Sequence, residues 1–203
     1  EVSQILKYCF HNNVKVVPRG AGTGLSGAAL PLEDSVLVVL GKFNKILEID
    51  FENRCVVTQP GVTNLSITGA VQHEGFYYAP DPSSQMACSI GGNISTNAGG
   101  VHSLKYGVTT NNVLGVEMVL IDGTIIRLGG KNLDAEGYDL LGVVTGSEGL
   151  LGVITEITVK ILKKPQSVRA VLIGFDTNDD AGNCVADIIS AGIIPAGMEI
   201  MDK

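Results

Sequence analysis

The chain of 203 residues has no tryptophan, only 5% aromatic residues and only 17% charged residues. Large aromatic anchors are scarce, so a core here has to be built from aliphatic side chains. Lysine and arginine number 14 against 21 acidic residues, a formal charge of −7. No basic block exists to neutralise phosphates, which excludes nucleic acid as a partner class. No apolar run approaches the ~18 residues that read as a membrane span, and no leader-like segment opens the chain. The four cysteines (Cys9, Cys55, Cys88 and Cys184) form no C-x-x-C pair, and His11, His73 and His102 show no metal-ligand spacing. The expectations are buried free thiols, no metal site and a reducing, cytoplasmic setting.

Glycine is what the chain has in excess, with 26 residues. The densest run is Val16-Val-Pro-Arg-Gly-Ala-Gly-Thr-Gly-Leu-Ser-Gly27. Without Cβ atoms the backbone can turn through positive φ and aim several N–H groups at one anion, above all a phosphate. Arg19 at its start can add charge-assisted hydrogen bonds. Gly22-Thr-Gly24-Leu-Ser-Gly27 also fits the dinucleotide fingerprint G-x-G-x-x-G, which requires a long helix immediately afterwards. Pro31 and the strand-like Asp34-Ser-Val-Leu-Val-Val-Leu40 leave no room for that helix. A Walker A loop fails as well, because no Gly-Lys-Ser/Thr ends the run.

Two further stretches share this character. Ala79–Gly100 brackets Asn93, Ser95, Thr96 and Asn97 between two Gly-Gly pairs, and Val144–Ile154 carries Gly146, Gly149 and Gly152 at intervals of three. Three spaced glycine-polar sites suit a long ligand, with several groups each needing backbone contacts, better than a mononucleotide. Around them the pattern predicts helices over 2–12, 65–74 and 178–191, and strands over 14–17, 35–40, 44–50, 54–59, 152–162 and 167–175. Asp122-Gly123 turns a hairpin between 113–121 and 124–128. Thr63 or Asn64 caps the second helix and Gly75 ends it. His102 and Asp81 read as hydrogen-bonding turn residues, and Lys105 and Arg127 as solvated. Both ends of the chain read as cut from a longer protein.

Tyr78-Ala-Pro-Asp-Pro-Ser-Ser84, Cys88-Ser-Ile-Gly-Gly-Asn93, Val101-His-Ser-Leu-Lys-Tyr-Gly107 and Gly146-Ser-Glu-Gly149, in this order, resemble the FAD-binding domain of the vanillyl-alcohol oxidase (PCMH-type) superfamily. The likeness covers essentially the whole chain and is nearest to the branch that oxidises glycolate and D-lactate. It implies an α+β, PCMH-type fold of two α/β subdomains clasping FAD, over 1–53 and 54–164, with 165–203 starting a truncated cap domain. By that resemblance Arg19, Gly20, Ala21, Gly22, Thr23, Gly24, Leu25 and Ser26 hold the pyrophosphate. Pro82, Ser84, Cys88, Ser89 and Gly92 line the flavin and ribityl side, with Thr96, Asn97 and Gly99 near the phosphates. Glu148, Gly149, Gly152, Val153 and Ile154 pack on the adenine–ribityl side.

Some members of the superfamily tether the flavin to a histidine where Thr23 stands, so the resemblance implies non-covalent FAD. It also implies hydride transfer from a 2-hydroxy acid to the flavin. The catalytic base and the metal-binding histidines belong to the cap, so no catalytic residue is expected in this chain. Expected partners are a second flavin-like subunit and an iron–sulfur subunit, with peripheral association at the inner membrane through them. The alternative is a non-catalytic homologue that serves as an assembly subunit.

Overall fold

The computed structural model describes residues 1–132 and 137–202. In chain order it has α1 (Val2–His11), β1 (Lys15–Arg19), β2 (Ser35–Val39), β3 (Ile46–Asp50), β4 (Cys55–Thr58), α2 (Asn64–Val71) and β5 (Phe76–Tyr77). Then follow α3 (Ile90–Thr96), α4 (Ser103–Tyr106), β6 (Val113–Val119), β7 (Ile125–Gly129), α5 (Leu140–Val144), β8 (Val153–Lys160), β9 (Leu162–Lys163) and α6 (Asn178–Ser190).

β1 and β2 pair in parallel, from Lys15↔Ser35 to Arg19↔Val39. Parallel neighbours need a crossover rather than a tight hairpin. Residues 20–34 are that crossover; they contain no helix, in keeping with Pro31. α1 covers this pair with Val2 and Leu6, which pack on Val38 and Leu40. Val2, Leu6 and Cys9 are its buried residues, a spacing that places them on one helical face.

The main sheet is antiparallel, in the order β3-β4-β8-β6-β7. Neighbouring side chains on a strand point to opposite faces, and this sheet uses both. Met118 and Ile154 join Ile67, Val71, Ile90 and Ile94 of α2 and α3 in one core. Val119 and Val153 face the other way and join the α1–β2 cluster. The sheet therefore welds the parallel pair to the helical layer, and β3 belongs to it although it precedes residue 53 in the chain.

The hairpin between β6 and β7 turns at Asp122-Gly123 as the dipeptide predicts, with Gly123 at φ +88 and its N–H donating to Leu120. Thr63 is the residue that caps α2. All four cysteines are free, three of them buried. Among the described residues, no helix is long and apolar enough to cross a membrane, and no His/Cys/Asp/Glu cluster could hold a metal ion.

One expectation fails. Ser167–Phe175 forms no strand, and Val168, Val171 and Leu172 stand 76%, 81% and 91% exposed. A strand needs a neighbour for its backbone groups, and no described residue pairs with this segment. α6 does form, capped by the Thr177 hydroxyl on the Asp180 N–H, yet none of its residues is buried.

Candidate functional site

The three glycine runs converge on one cleft. The crossover after β1 forms one wall, from Pro18 to Ala29; the segment entering and forming α3 forms the second; Glu148–Ile154, leading into β8, forms the third. Leu40 N–H donates to the Arg19 carbonyl, and Gly91 N–H to the Pro60 carbonyl, which fixes the first two walls at their roots.

Local chemistry shapes each wall. Among the described residues, none accepts a hydrogen bond from the N–H groups of Ala21 to Ala29, and most of these residues line the cleft. Gly20 lies so close to Ser89 that a Cβ would run into the hydroxyl, and Gly22 (φ +72) lies so close that a Cβ would come within 2.5 Å of the Arg19 guanidinium. The Ser89 hydroxyl accepts from the Gly92 N–H and caps α3.

The third wall is anchored to the opposite end of that helix. Gly146 and Glu148 donate their N–H groups to the Ile94 and Ser95 carbonyls, each at 2.8 Å, satisfying acceptors that a helix end leaves over. The arrangement holds Glu148 at φ +55, in the left-handed region where a side chain is strained. Arg19 and Glu148 are the charged residues of the lining. Cys88 is the third polarisable group, buried, with its Sγ accepting from Asn93 Nδ2 at 3.3 Å.

All the residues expected at the site line this cleft except Leu25, Asn97 and Gly99. Leu25 is fully exposed. Asn97 is the left-handed C-cap of α3 and turns its Oδ1 away to accept the Thr110 N–H at 2.9 Å. Gly99 packs against Ser103 and Val108 behind the wall. The cleft also takes in Asn93 and Ser95, polar residues of the second glycine-rich stretch, and Pro18, Ala28, Ala29, Leu40, Pro60, Gly91 and Ala98. Pro18, Leu40, Pro60 and Ala98 offer no side-chain polar group, and nothing beyond the nearness of a glycine separated them in the sequence from ordinary packing residues.

The comparison with known families accords with a site built for a long ligand. Residues 1–129 match the family described as "FAD binding domain", and the chain belongs to that family; FAD is its cofactor. Residues 164–203 match "FAD linked oxidases, C-terminal domain".

Among individual proteins, the chain is 55% identical over 203 residues to the glycolate oxidase subunit GlcD of Escherichia coli (strain K12), covering all of this chain and 41% of that one. It is 47% identical to the GlcD subunit of Bacillus subtilis (strain 168), covering 43% of it, and 41% identical to the D-lactate dehydrogenase of Archaeoglobus fulgidus, covering 45%. The chain thus spans less than half the length of these relatives. An alkyldihydroxyacetonephosphate synthase structure superposes with a TM-score of 0.83 at 25% identity, over 97% of this chain and 36% of that one.

Proposed function

We propose that the cleft holds FAD with its pyrophosphate against Arg19–Ser26, and that the whole protein oxidises a small 2-hydroxy acid, glycolate or D-lactate. The observation that carries the reading is the convergence of three glycine runs on one cleft whose first wall has a row of N–H groups with no acceptor among the described residues. Such a row is an anion site, and Arg19 adds a fixed positive charge beside it. Pro82, Ser84, Cys88, Ser89 and Gly92 then flank the flavin and ribityl chain. Thr96 lies near the phosphates, with Asn97 and Gly99 acting from behind the lining. Glu148, Gly149, Gly152, Val153 and Ile154 cover the adenine side.

Bound FAD supplies a two-electron acceptor. This chain's own residues bind it and orient it, with the buried Cys88 and Ile154 keeping water from the wall they line. Thr23 offers no nitrogen nucleophile where a tether would start, which supports dissociable FAD. The substrate hydroxyl and carboxylate fall to the unit that 165–203 begins, the FAD-binding subdomains being 1–53 and 54–164. The names of the relatives support the substrate class, and "subunit" in two of them supports assembly with further subunits; we propose a flavin-like and an iron–sulfur one, carrying the electrons onward. A cytoplasmic place, at the inner membrane through those partners, follows from this reading.

The full-length protein tests it. Purified, it shows flavin absorbance that glycolate or D-lactate bleaches without oxygen, and acid precipitation leaves the FAD in the supernatant. A colourless protein that takes up no FAD overturns the cofactor site; flavin that neither acid bleaches overturns the substrate class.

A further inference from the structure

We infer that Asp81 and His102 form a clasp that positions the flavin end of the cleft without either residue lining it, an inference that rests on the FAD reading above. His102 Nδ1 lies 2.5 Å from Asp81 Oδ2, and the His102 backbone N–H donates to Asp81 Oδ1 at 3.2 Å. One carboxylate thus grips both the main chain and the ring of a residue 21 positions away. A carboxylate here only accepts, so Nδ1 carries the ring proton.

The two segments joined are both walls of the site. Asp81 immediately precedes Pro82, and the turn that bears His102 follows Ala98; Pro82 and Ala98 line the cleft. The segments touch directly as well, because a Cβ on Gly100 would run into the Asp81 carbonyl. Residues 78–82 belong to no helix or strand, so side-chain bonds decide where they sit. From inside, Asn64 Nδ2 donates to the Pro80 carbonyl at 3.0 Å and to Asn93 Oδ1 at 3.1 Å. Asn93 in turn donates to Cys88 on the cleft. From outside, the imidazole is the matching hold, and its ring sits 6.4 Å from Tyr106. The buried amides fix the depth of the Pro-Asp-Pro segment, and the Asp81–His102 clasp fixes its lateral position against the Gly99–Gly100 turn.

The test uses the full-length protein stripped of FAD, with His102→Ala, His102→Asn and Asp81→Ala. FAD affinity is read by fluorescence titration, the bound flavin by its visible absorption and circular dichroism, and the apoprotein by its melting temperature. Loss of a charge-assisted hydrogen bond is expected to weaken FAD binding about tenfold in His102→Ala and Asp81→Ala and to alter the visible bands. His102→Asn, whose amide can still donate to Asp81, is expected to recover most of both, with the apoprotein melting points unchanged. Should the alanine variant fail to fold, His102→Leu keeps the bulk without the donor and is compared with His102→Asn. Wild-type affinity and spectra in the variants that lack the donor overturn the clasp. So does weakened binding that only follows a lowered apoprotein melting point and that asparagine does not rescue. A wild-type protein that binds no FAD is a different outcome, and it removes the FAD reading together with the clasp.

Discussion

Gly22 shows how a single missing side chain shapes the first wall. At φ +72 it leaves the Arg19 guanidinium tucked beside the loop. Gly22→Ala places an L-residue in a conformation that costs ~1–2 kcal/mol and pushes the guanidinium aside. FAD affinity is expected to fall about tenfold or more, with the far-ultraviolet spectrum unchanged. Arg19→Ala, which removes a charged hydrogen-bond donor worth ~1.5–3 kcal/mol, is expected to weaken FAD by a similar factor and to flatten the salt dependence of binding. Fluorescence titration at two ionic strengths checks both. Polar and glycine residues of this kind were legible because they forgo burial for backbone access. Leu25 was not separable from its neighbours, since a loop residue's direction depends on φ and ψ that the sequence does not display. Leu40 was hidden for the opposite reason: it closes a core with Val38 and α1 while its edge touches the cleft.

Among the elements, α2 and the main sheet were the plainest to read, and α3 the least. A β-branched run announces β4, an apolar run before Asp122-Gly123 announces β6, and alternation announces β8, while Thr63 announces the start of α2. α3 contains two adjacent glycines, each costing ~1 kcal/mol relative to alanine in a helix, and propensity alone argues against it. It forms because Ser89 caps its start, Ile90 and Ile94 are wholly buried, and the Gly146 and Glu148 N–H groups complete its end. Those last bonds come from more than 50 residues away, beyond any local signal. Ser167–Phe175 fails in the reverse sense, an apolar run with strand character and no partner. In urea unfolding, Thr63→Ala is expected to cost ~1 kcal/mol through the lost cap, and Ile67→Ala, at 0% exposure, ~2–5 kcal/mol through the cavity it leaves. An Ile67→Ala change within experimental error would mean that α2 does not pack on the sheet as described.

At the scale of the whole molecule, the two edges of the main sheet are tied by charge. Lys131, just after β7, reaches Glu48 at 2.6 Å and Asp50 at 2.9 Å on β3, at the opposite edge. Hydrogen bonds from Asn53, and then from Lys131, hold the Asp50 carboxyl well below the usual carboxylate range. Glu48, and then Asp50, push the Lys131 ammonium above its ordinary value. The depressed carboxyl stabilises the fold above the unfolded value of ~4, and that contribution is lost as pH falls through the folded one. The raised ammonium contributes below ~10.4, and that contribution is lost as pH rises through its folded value. Unfolding midpoints against pH should therefore decline at both extremes, and Asp50→Asn should flatten the acid limb. An acid limb identical in both proteins would remove Asp50 from the account.

The assembly of β1–β2, the main sheet and the helical layer around one cleft depends on contacts that motif order could announce only through resemblance. The cleft itself is tested most directly by titrating FAD into the full-length apoprotein and its Gly20→Val variant. The account predicts saturable one-to-one binding by the wild type and its loss in the variant, whose side chain displaces Ser89 and enters the cleft; equal binding by both, or none by the wild type, would contradict it.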